Sequence, residues 1–263
     1  MGVNTKTSLV LGGGGIRGCA HIGVYKRMCE LGIQPDEIVG TSIGAIVGAF
    51  IAFGLSADDM ENIIKSIPTT ILLSPDLKTG LLSQKGMIKY FSKFLGTSAR
   101  IEDAHIPLKI VVTNFDTGEK EILTSGPLLP AIAASAAIPS LFTPVLIDKY
   151  RYIDGGIVDN LAVSEASYEH IIAVSVVGGS IMKKSKRKKA SVFGINIFTP
   201  YRAYEDLIQA FKIMLMQNEL AKFGEKREKI TLIKPNVDGV NLLQINKALY
   251  AMRQGYIAGK ESL

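Results

Sequence analysis

Cysteine, histidine and tryptophan are scarce in this chain of 263 residues, which contains two, three and none of them respectively. Two cysteines, Cys19 and Cys29, exclude a disulfide scaffold and a four-cysteine metal site. Both lie in one predicted helix, about 15 Å apart along its axis, which is too far for a disulfide. We therefore expect no disulfide. We also expect no metal and no cofactor, and the few histidines leave little choice of a histidine base.

Excess positive charge is confined to one segment. The chain has 30 Lys and Arg residues against 24 Asp and Glu, a net charge of +6. Six of the cations fall within residues 183–189, so the rest of the chain is neutral. Apolar residues flank this run, which favours contact with an anionic membrane, while a solvated loop is the simpler alternative. The cations are Lys183, Lys184, Lys186, Arg187, Lys188 and Lys189.

Nucleic acid is the competing partner for a basic segment of this kind. The run at 183–189 has no interleaved aromatic residues, and no nucleic-acid-binding fold is recognisable around it. We therefore expect no nucleic-acid partner.

The sequence predicts no targeting segment and no membrane-spanning segment. The only early apolar stretch, residues 9–11, is too short for a secretion signal. We therefore expect a cytoplasmic protein that is at most peripheral to the inner face of the membrane. Residues 38–55 carry no charge and approach the length of a membrane span. A tight turn at Gly40 to Gly44 divides that run, which favours a short strand and a buried helix instead.

Short apolar runs and longer amphipathic segments alternate along the chain, a pattern typical of an α/β fold. We predict one three-layer helix-sheet-helix domain over residues 1–263 with a mostly parallel central sheet, its motifs in about 8–175 and a C-terminal helical part over about 190–263. The predicted strands are residues 8–11, 38–40, 108–113, 121–124, 145–147, 151–153, 171–177 and 230–234, with an antiparallel hairpin joining the third and fourth. The predicted helices are residues 16–31, 42–53, 87–95, 130–137, 204–223 and 243–259, and another begins at Ser56.

Three features that can carry chemistry directly follow predicted strands: the glycines at 12–15, Ser42 and Asp154. Ligands of parallel α/β sheets bind beyond the carboxyl ends of the strands. Neighbouring strands are about 4.8 Å apart, so residues after adjacent or next-but-one strands can reach one another. We therefore expect the three features to meet at one edge of the sheet.

The spacing Gly40-x-Ser42-x-Gly44 between a strand and a helix fits a nucleophile elbow. Such a turn needs small neighbours, exposes the serine hydroxyl to the cleft and places it at a helix N-terminus. A serine that merely caps a helix in a glycine-rich turn gives the same pattern, so the motif alone is weak.

The glycine run has two interpretations. Gly13-x-Gly15-x-x-Gly18 matches the dinucleotide-binding fingerprint and would predict a nicotinamide or flavin enzyme. That fold needs an acidic residue at the end of its second strand, whereas Asp36 and Glu37 precede theirs. The alternative is an oxyanion hole built from backbone N–H groups, which we prefer.

A serine nucleophile needs a base, and the chain order Ser42, Asp154, His170 matches a Ser-His-Asp esterase. His170 and His105, however, come just before predicted strands and so belong to the opposite edge of the sheet. His21 lies inside the first helix. Asp154 can accept the serine proton directly, although Asp-Gly is also a common turn pair.

Four successive blocks of the chain resemble those of the patatin-like phospholipases, in the family's order and over roughly residues 8–175. The joint occurrence is far more specific than any single block. The blocks are Gly13-Gly14-Gly15-Ile16-Arg17-Gly18, Gly40-Thr41-Ser42-Ile43-Gly44, Ala134-Ser135-Ala136-Ala137-Ile138-Pro139 and Asp154-Gly155-Gly156.

The resemblance implies a calcium-independent Ser-Asp hydrolase that cleaves acyl esters of phospholipids or lysophospholipids. Ser42 would be the nucleophile and Asp154 the base. The implied oxyanion hole is Gly13, Gly14 and Gly15, with Arg17 helping to hold it. The implied supporting residues are Gly40, Gly44, Ser135, Gly155 and Gly156.

Overall fold

Helices and strands alternate in the computed structural model, which describes residues 6–68, 82–178, 191–192, 195–196, 200–222 and 230–263. The strands are β1 Thr7–Leu11, β2 Glu37–Thr41, β3 Leu108–Asn114, β4 Lys120–Leu123, β5 Val145–Ile147, β6 Tyr150–Asp154, β7 His170–Val174, β8 Ser191–Val192, β9 Ile195–Asn196 and β10 Ile230–Ile233. The α-helices are α1 Ala20–Glu30, α2 Ile43–Ala52, α3 Ala57–Ser66, α4 Lys85–Leu95, α5 Leu128–Ser135, α6 Pro200–Lys222 and α7 Ala248–Ser262.

The central sheet has the strand order β10-β7-β1-β2-β3-β6-β5, with β4 also paired to β3. All pairings from β10 to β3 are parallel, and those of β4, β5 and β6 are antiparallel. The expectation of an α/β fold with a mostly parallel sheet is confirmed. The strand order reverses between β1 and β7, so the carboxyl end of β1 lies where open α/β sheets bind ligands.

Apolar side chains pack on both faces of the sheet. The larger core joins one face to α1, α2, α5 and α7, through residues such as Leu9, Ile38 and Ile110. The smaller core joins Val10 and Val39 on the other face to the segment 161–163. Within the described residues, this second face is therefore covered by an irregular segment rather than by long helices.

The uncharged run at 38–55 divides into β2 and α2, as expected from its turn. Helix α2 has ten residues and nine of them are buried, because the helix packs against the sheet. Across the described residues, no helix combines the length and apolar character needed to span a bilayer.

The first helix begins differently from the prediction. Residues Gly15–Cys19 form a 3-10 turn, and the α-helix starts only at Ala20. Cys19 and Cys29 are both free thiols, in agreement with the distance argument. Helix α3 starts with the expected capping box, in which Ser56 Oγ accepts from the Asp59 N–H at 3.1 Å.

Asp154 was expected at this edge because it follows a strand assumed to run parallel to its neighbours. That assumption is wrong, since strand β6 runs antiparallel to β3. Val111 pairs with β2 on one side and with β4 on the other, and Val112 pairs with Asp154 and with β4. Strands β2 and β6 therefore share one side of β3 and meet end to end. The chain leaves β2 at Ser42 directly opposite Asp154.

Candidate active site

Ser42 occupies a strained turn between β2 and α2. Its backbone has φ 56° and ψ −123°, a left-handed conformation that is unfavourable for a residue with a side chain. A Cβ on Gly44 would lie 2.1 Å from the Leu11 carbonyl oxygen, and one on Gly40 would lie 2.6 Å from the Gly44 carbonyl oxygen. Only glycine fits at these two positions, so the motif spacing has a steric basis.

The Ser42 hydroxyl donates a hydrogen bond of 2.7 Å to Asp154 Oδ2. Asp154 is completely buried, and its other carboxyl oxygen accepts from the Gly156 N–H at 2.8 Å. Burial raises the pKa of Asp154 to about 7, although the hydrogen bonds from Ser42 and Gly156 oppose the rise. A carboxyl group with this pKa can both accept and return a proton near neutral pH.

Ser135 fixes the backbone of Ser42. Its hydroxyl accepts from the Ser42 N–H at 2.8 Å and donates to the Val111 carbonyl at 2.7 Å. The side chain is fully buried at the end of α5. Ser135 thus ties the strained turn to the adjacent strand β3.

We expect Ser135→Ala to lower ester-hydrolysis kcat by about 10- to 100-fold, because the serine turn loses an anchor. Leaving the Ser42 N–H and the Val111 carbonyl without this partner is also expected to cost about 1–3 kcal/mol of unfolding free energy. Stopped assays and urea unfolding measure the two effects. Ser164→Ala, at an exposed serine, is the control, and equal kinetics in both variants would contradict the anchoring role.

The glycine loop follows β1 beside Ser42. The Gly13 N–H donates to the Asn160 carbonyl at 3.2 Å. Among the described residues, the N–H groups of Gly14 and Gly15 have no hydrogen-bond acceptor. Gly15 has φ 57°, and a Cβ there would lie 2.2 Å from the Leu242 carbonyl oxygen. The loop therefore keeps two of its three predicted donors available for an anion.

Arg17 is buried, and its guanidinium donates hydrogen bonds to backbone carbonyls. Nε donates to the Val240 carbonyl at 2.6 Å and Nη1 to the Val177 carbonyl at 2.5 Å. Burial lowers the pKa of Arg17, and the nearby Asp238 carboxylate opposes that shift. These bonds join the turn after the glycine loop to two segments from the C-terminal half.

None of the three histidines contacts Ser42 or Asp154. His21 hydrogen-bonds the Gly12 carbonyl oxygen at 2.8 Å, and burial lowers its pKa to about 4, which keeps it neutral. His170 is the first residue of β7, and its Nδ1 hydrogen-bonds Thr7 Oγ1 at 2.8 Å. Thr7 is the first residue of β1, about 13 Å along the strand from its carboxyl end. His105 packs near Gly54, beyond the far end of α2. A Ser-His-Asp triad through His170 is incompatible with this arrangement.

The second strand lacks the acidic residue that a dinucleotide site requires. Glu37 stands at the start of β2, where its carboxylate accepts from Ser8 Oγ at 2.6 Å and pairs with Lys109 at 3.1 Å. The end of β2 leads into Ser42 instead. Among the described residues, no cluster of three or more His, Cys, Asp or Glu side chains is placed to hold a metal.

Sequence reasoning missed a polar network that joins α6 to the glycine loop. Glu219 on α6 accepts from Asn160 Nδ2 at 2.5 Å and from Ser175 Oγ at 2.5 Å. Burial raises the pKa of Glu219, while these two hydrogen bonds oppose the shift. Asn218 donates to the carbonyls of Gly156 and Ile157 at 3.1 and 2.6 Å. No local motif signals this network, because its members are far apart in sequence.

The basic segment at 183–189, predicted to contact membranes, lies outside the described residues. Its role stays a prediction.

An α/β fold with a strained serine after β2, bonded to a buried aspartate, is an arrangement typical of serine hydrolases of the α/β class. The family model described as "Patatin-like phospholipase" matches residues 9–167. The chain therefore belongs to the patatin-like phospholipase family. The resemblance drawn from the four sequence blocks is confirmed.

Two curated relatives are similar to the chain in sequence, and one solved structure is similar to it in fold. "Lysophospholipase NTE1" of Pyricularia oryzae is 38% identical over 170 residues, covering 60% of this chain and 11% of its own length. "Lysophospholipase nte1" of Neurospora crassa is 29% identical over 282 residues, covering 98% of this chain and 18% of its own. The crystal structure of VipD from Legionella pneumophila shares the fold, with a TM-score of 0.52 and 14% sequence identity. The match covers 98% of this chain and 66% of the VipD chain. This chain spans less than a fifth of the length of those two lysophospholipases.

Proposed function

We propose that the chain hydrolyses acyl esters of lysophospholipids or phospholipids through a Ser42-Asp154 dyad. The observation that carries the proposal is the 2.7 Å hydrogen bond from the hydroxyl of a strained serine to a buried carboxylate. The names of the two lysophospholipase relatives support the choice of substrate class.

In the proposed acylation step, Ser42 Oγ attacks the ester carbonyl carbon while Asp154 Oδ2 accepts its proton. The negative charge on the carbonyl oxygen is stabilised by the N–H groups of Gly14 and Gly15. The bond to the leaving alcohol then breaks, and Asp154 returns the proton to the alcohol oxygen. Ser42 is left as an acyl ester.

In the proposed deacylation step, Asp154 removes a proton from water, and the water oxygen attacks the acyl carbon. The bond to Ser42 Oγ breaks and Oγ regains a proton from Asp154. The fatty acid is released and the dyad returns to its starting state.

Buried apolar side chains pack close to the dyad, a surrounding that supports an acyl chain as the bound group. Leu215 on α6 packs directly against Gly156. A Cβ added to Gly156 would lie only 2.5 Å from Leu215 Cδ2. Leu215 belongs to a cluster that includes Ile138 and Phe142. An acyl chain bound among such side chains would gain roughly 25 cal/mol per Å² of its apolar area removed from water.

The substrate class is tested by incubating the protein with lysophosphatidylcholine and with phosphatidylcholine and measuring released fatty acid. We expect release from at least one lipid, and none from either after Ser42→Ala. Release that survives Ser42→Ala would contradict the proposal.

The pH dependence follows from the raised pKa of Asp154. Asp154 acts as base only when ionised, so kcat/KM for a p-nitrophenyl ester should rise about tenfold per pH unit below 7 and level off above about pH 8. A profile from pH 4.5 to 9 measures this. A plateau already reached at pH 5 would show that the group that titrates is not Asp154 with its raised pKa.

We further propose that the basic run at 183–189 brings the protein to the inner face of an anionic membrane. Each cation near such a surface contributes up to about 1 kcal/mol. Deleting the run should weaken co-sedimentation with vesicles that contain phosphatidylserine, and unchanged binding would identify it as a solvated loop.

A further inference from the structure

Asn160 is completely buried between the glycine loop and the dyad. Its backbone carbonyl accepts from the Gly13 N–H at 3.2 Å, and its side-chain Nδ2 donates to the Gly13 carbonyl at 3.3 Å. Asn160 therefore holds both polar groups of Gly13.

The orientation of the Asn160 amide is fixed by its neighbours. Nδ2 faces two acceptors, the Gly13 carbonyl and the Glu219 carboxylate, so the nitrogen rather than the oxygen belongs there. The other atom, Oδ1, is buried and has no hydrogen-bond partner among the described residues. A buried acceptor without a donor costs about 1–3 kcal/mol, which points to a ligand atom as its partner.

The unpaired oxygen lies beside both catalytic candidates. An ideal Cβ on Gly13 would be 2.6 Å from Asn160 Oδ1 and 3.0 Å from Ser42 Cβ. One on Gly156 would be 2.9 Å from Asn160 Oδ1 and 3.0 Å from Asp154 Oδ1. Asn160 Oδ1 and Asp154 Oδ1 thus both lie within 3.0 Å of one point beside Gly156, so the two acceptors face the same small volume.

We propose that Asn160 Oδ1 and Asp154 together hold the water that hydrolyses the acyl-enzyme, an inference that rests on the proposed Ser42 mechanism. Water has two O–H groups, and this site offers two acceptors. Donating one hydrogen to each leaves the lone pairs of the water oxygen free to attack the acyl carbon on Ser42 Oγ. Asp154 takes the proton of the O–H group that donates to it. The hydrogen bond from the other O–H group to Asn160 Oδ1 stays intact and orients the water.

An alcohol makes the proposal testable, because methanol has a single O–H group. Methanol can donate to Asp154 but has no second hydrogen for Asn160. Removing Oδ1 should therefore slow hydrolysis of the acyl-enzyme and spare methanolysis. If Asn160 only supported Gly13, both reactions would slow together.

The experiment uses a p-nitrophenyl ester with added methanol and measures the ratio of methyl ester to free acid for wild type and Asn160→Leu. We expect this ratio to rise about tenfold in the variant, corresponding to one lost hydrogen bond. An unchanged ratio would overturn the water site. Asn160→Ala, which removes Oδ1 without adding bulk beside Gly13, should give the same rise if Asn160→Leu does not fold.

A conservative variant separates the acceptor from the rest of the side chain. Asn160→Asp keeps an oxygen at Oδ1 and loses the Nδ2 donor, so its product ratio should stay within about threefold of wild type. A tenfold rise in this variant as well would contradict the role of Oδ1. Mass spectrometry of the wild-type acyl-enzyme provides the independent check: without an acyl group on Ser42, the proposed function fails and not merely the water site.

Discussion

Asp154→Asn is expected to lower kcat/KM for ester hydrolysis by about 10³-fold at pH 8, because the amide cannot accept the Ser42 proton. The shape of the site should survive, since an amide oxygen can still accept from the Gly156 N–H that Asp154 Oδ1 binds at 2.8 Å. The rates are measured with a p-nitrophenyl ester. Activity within tenfold of wild type would mean that another group is the base.

The same substitution is expected to stabilise the fold. The pKa of buried Asp154, about 7, lies above the value of about 3.9 for an exposed aspartate, so ionising it in the folded protein costs stability. That cost is absent below about pH 4, grows as the pH rises to 7 and is constant above. The free energy of unfolding of Asp154→Asn should therefore exceed that of the wild type by about 4 kcal/mol at pH 8, with no such gain at pH 4.

Urea unfolding at the two pH values measures this difference. Asp206→Asn, at an exposed carboxylate on α6, is the matched control. A destabilised Asp154→Asn variant at pH 8 would contradict the assignment of a costly buried charge.

Ser42→Ala is expected to reduce lipid ester hydrolysis by at least about 10⁴-fold, because it removes the hydroxyl that donates to Asp154. The Ala side chain keeps the Cβ that the turn already accommodates, so the variant should remain folded. Fatty acid release and thermal unfolding measure the two quantities. Ser98→Ala, at an exposed serine, is the matched control and should hydrolyse at the wild-type rate.

The sequence predicts the parts of the site that depend on local geometry. Glycines beside a serine specify the turn at Ser42, and hydrophobic periodicity places it after a strand. The hydrogen bond between Ser42 and Asp154 agrees with the expectation that the two residues meet. The turn depends on residues that are close in the chain, and its place in the sheet depends on strands whose parallel pairing follows from the α/β pattern.

The sequence does not predict strand pairings and side-chain contacts between residues that are far apart in the chain. The antiparallel direction of β6 depends on the irregular segment before it, and a strand pattern carries no direction. The contact of Glu219 with Asn160 depends on where α6 docks, which no motif encodes. The unpaired oxygen of Asn160 becomes evident only when its burial and all its neighbours are known together.

The central claim is that Ser42 is a nucleophile activated by Asp154. It is tested most directly by reaction with a fluorophosphonate, followed by mass spectrometry of the digested protein. We expect one adduct on the peptide that contains Ser42, with labelling slowed in Asp154→Asn and abolished in Ser42→Ala. A wild-type protein that stays unlabelled, or that is labelled at another serine, would contradict the account.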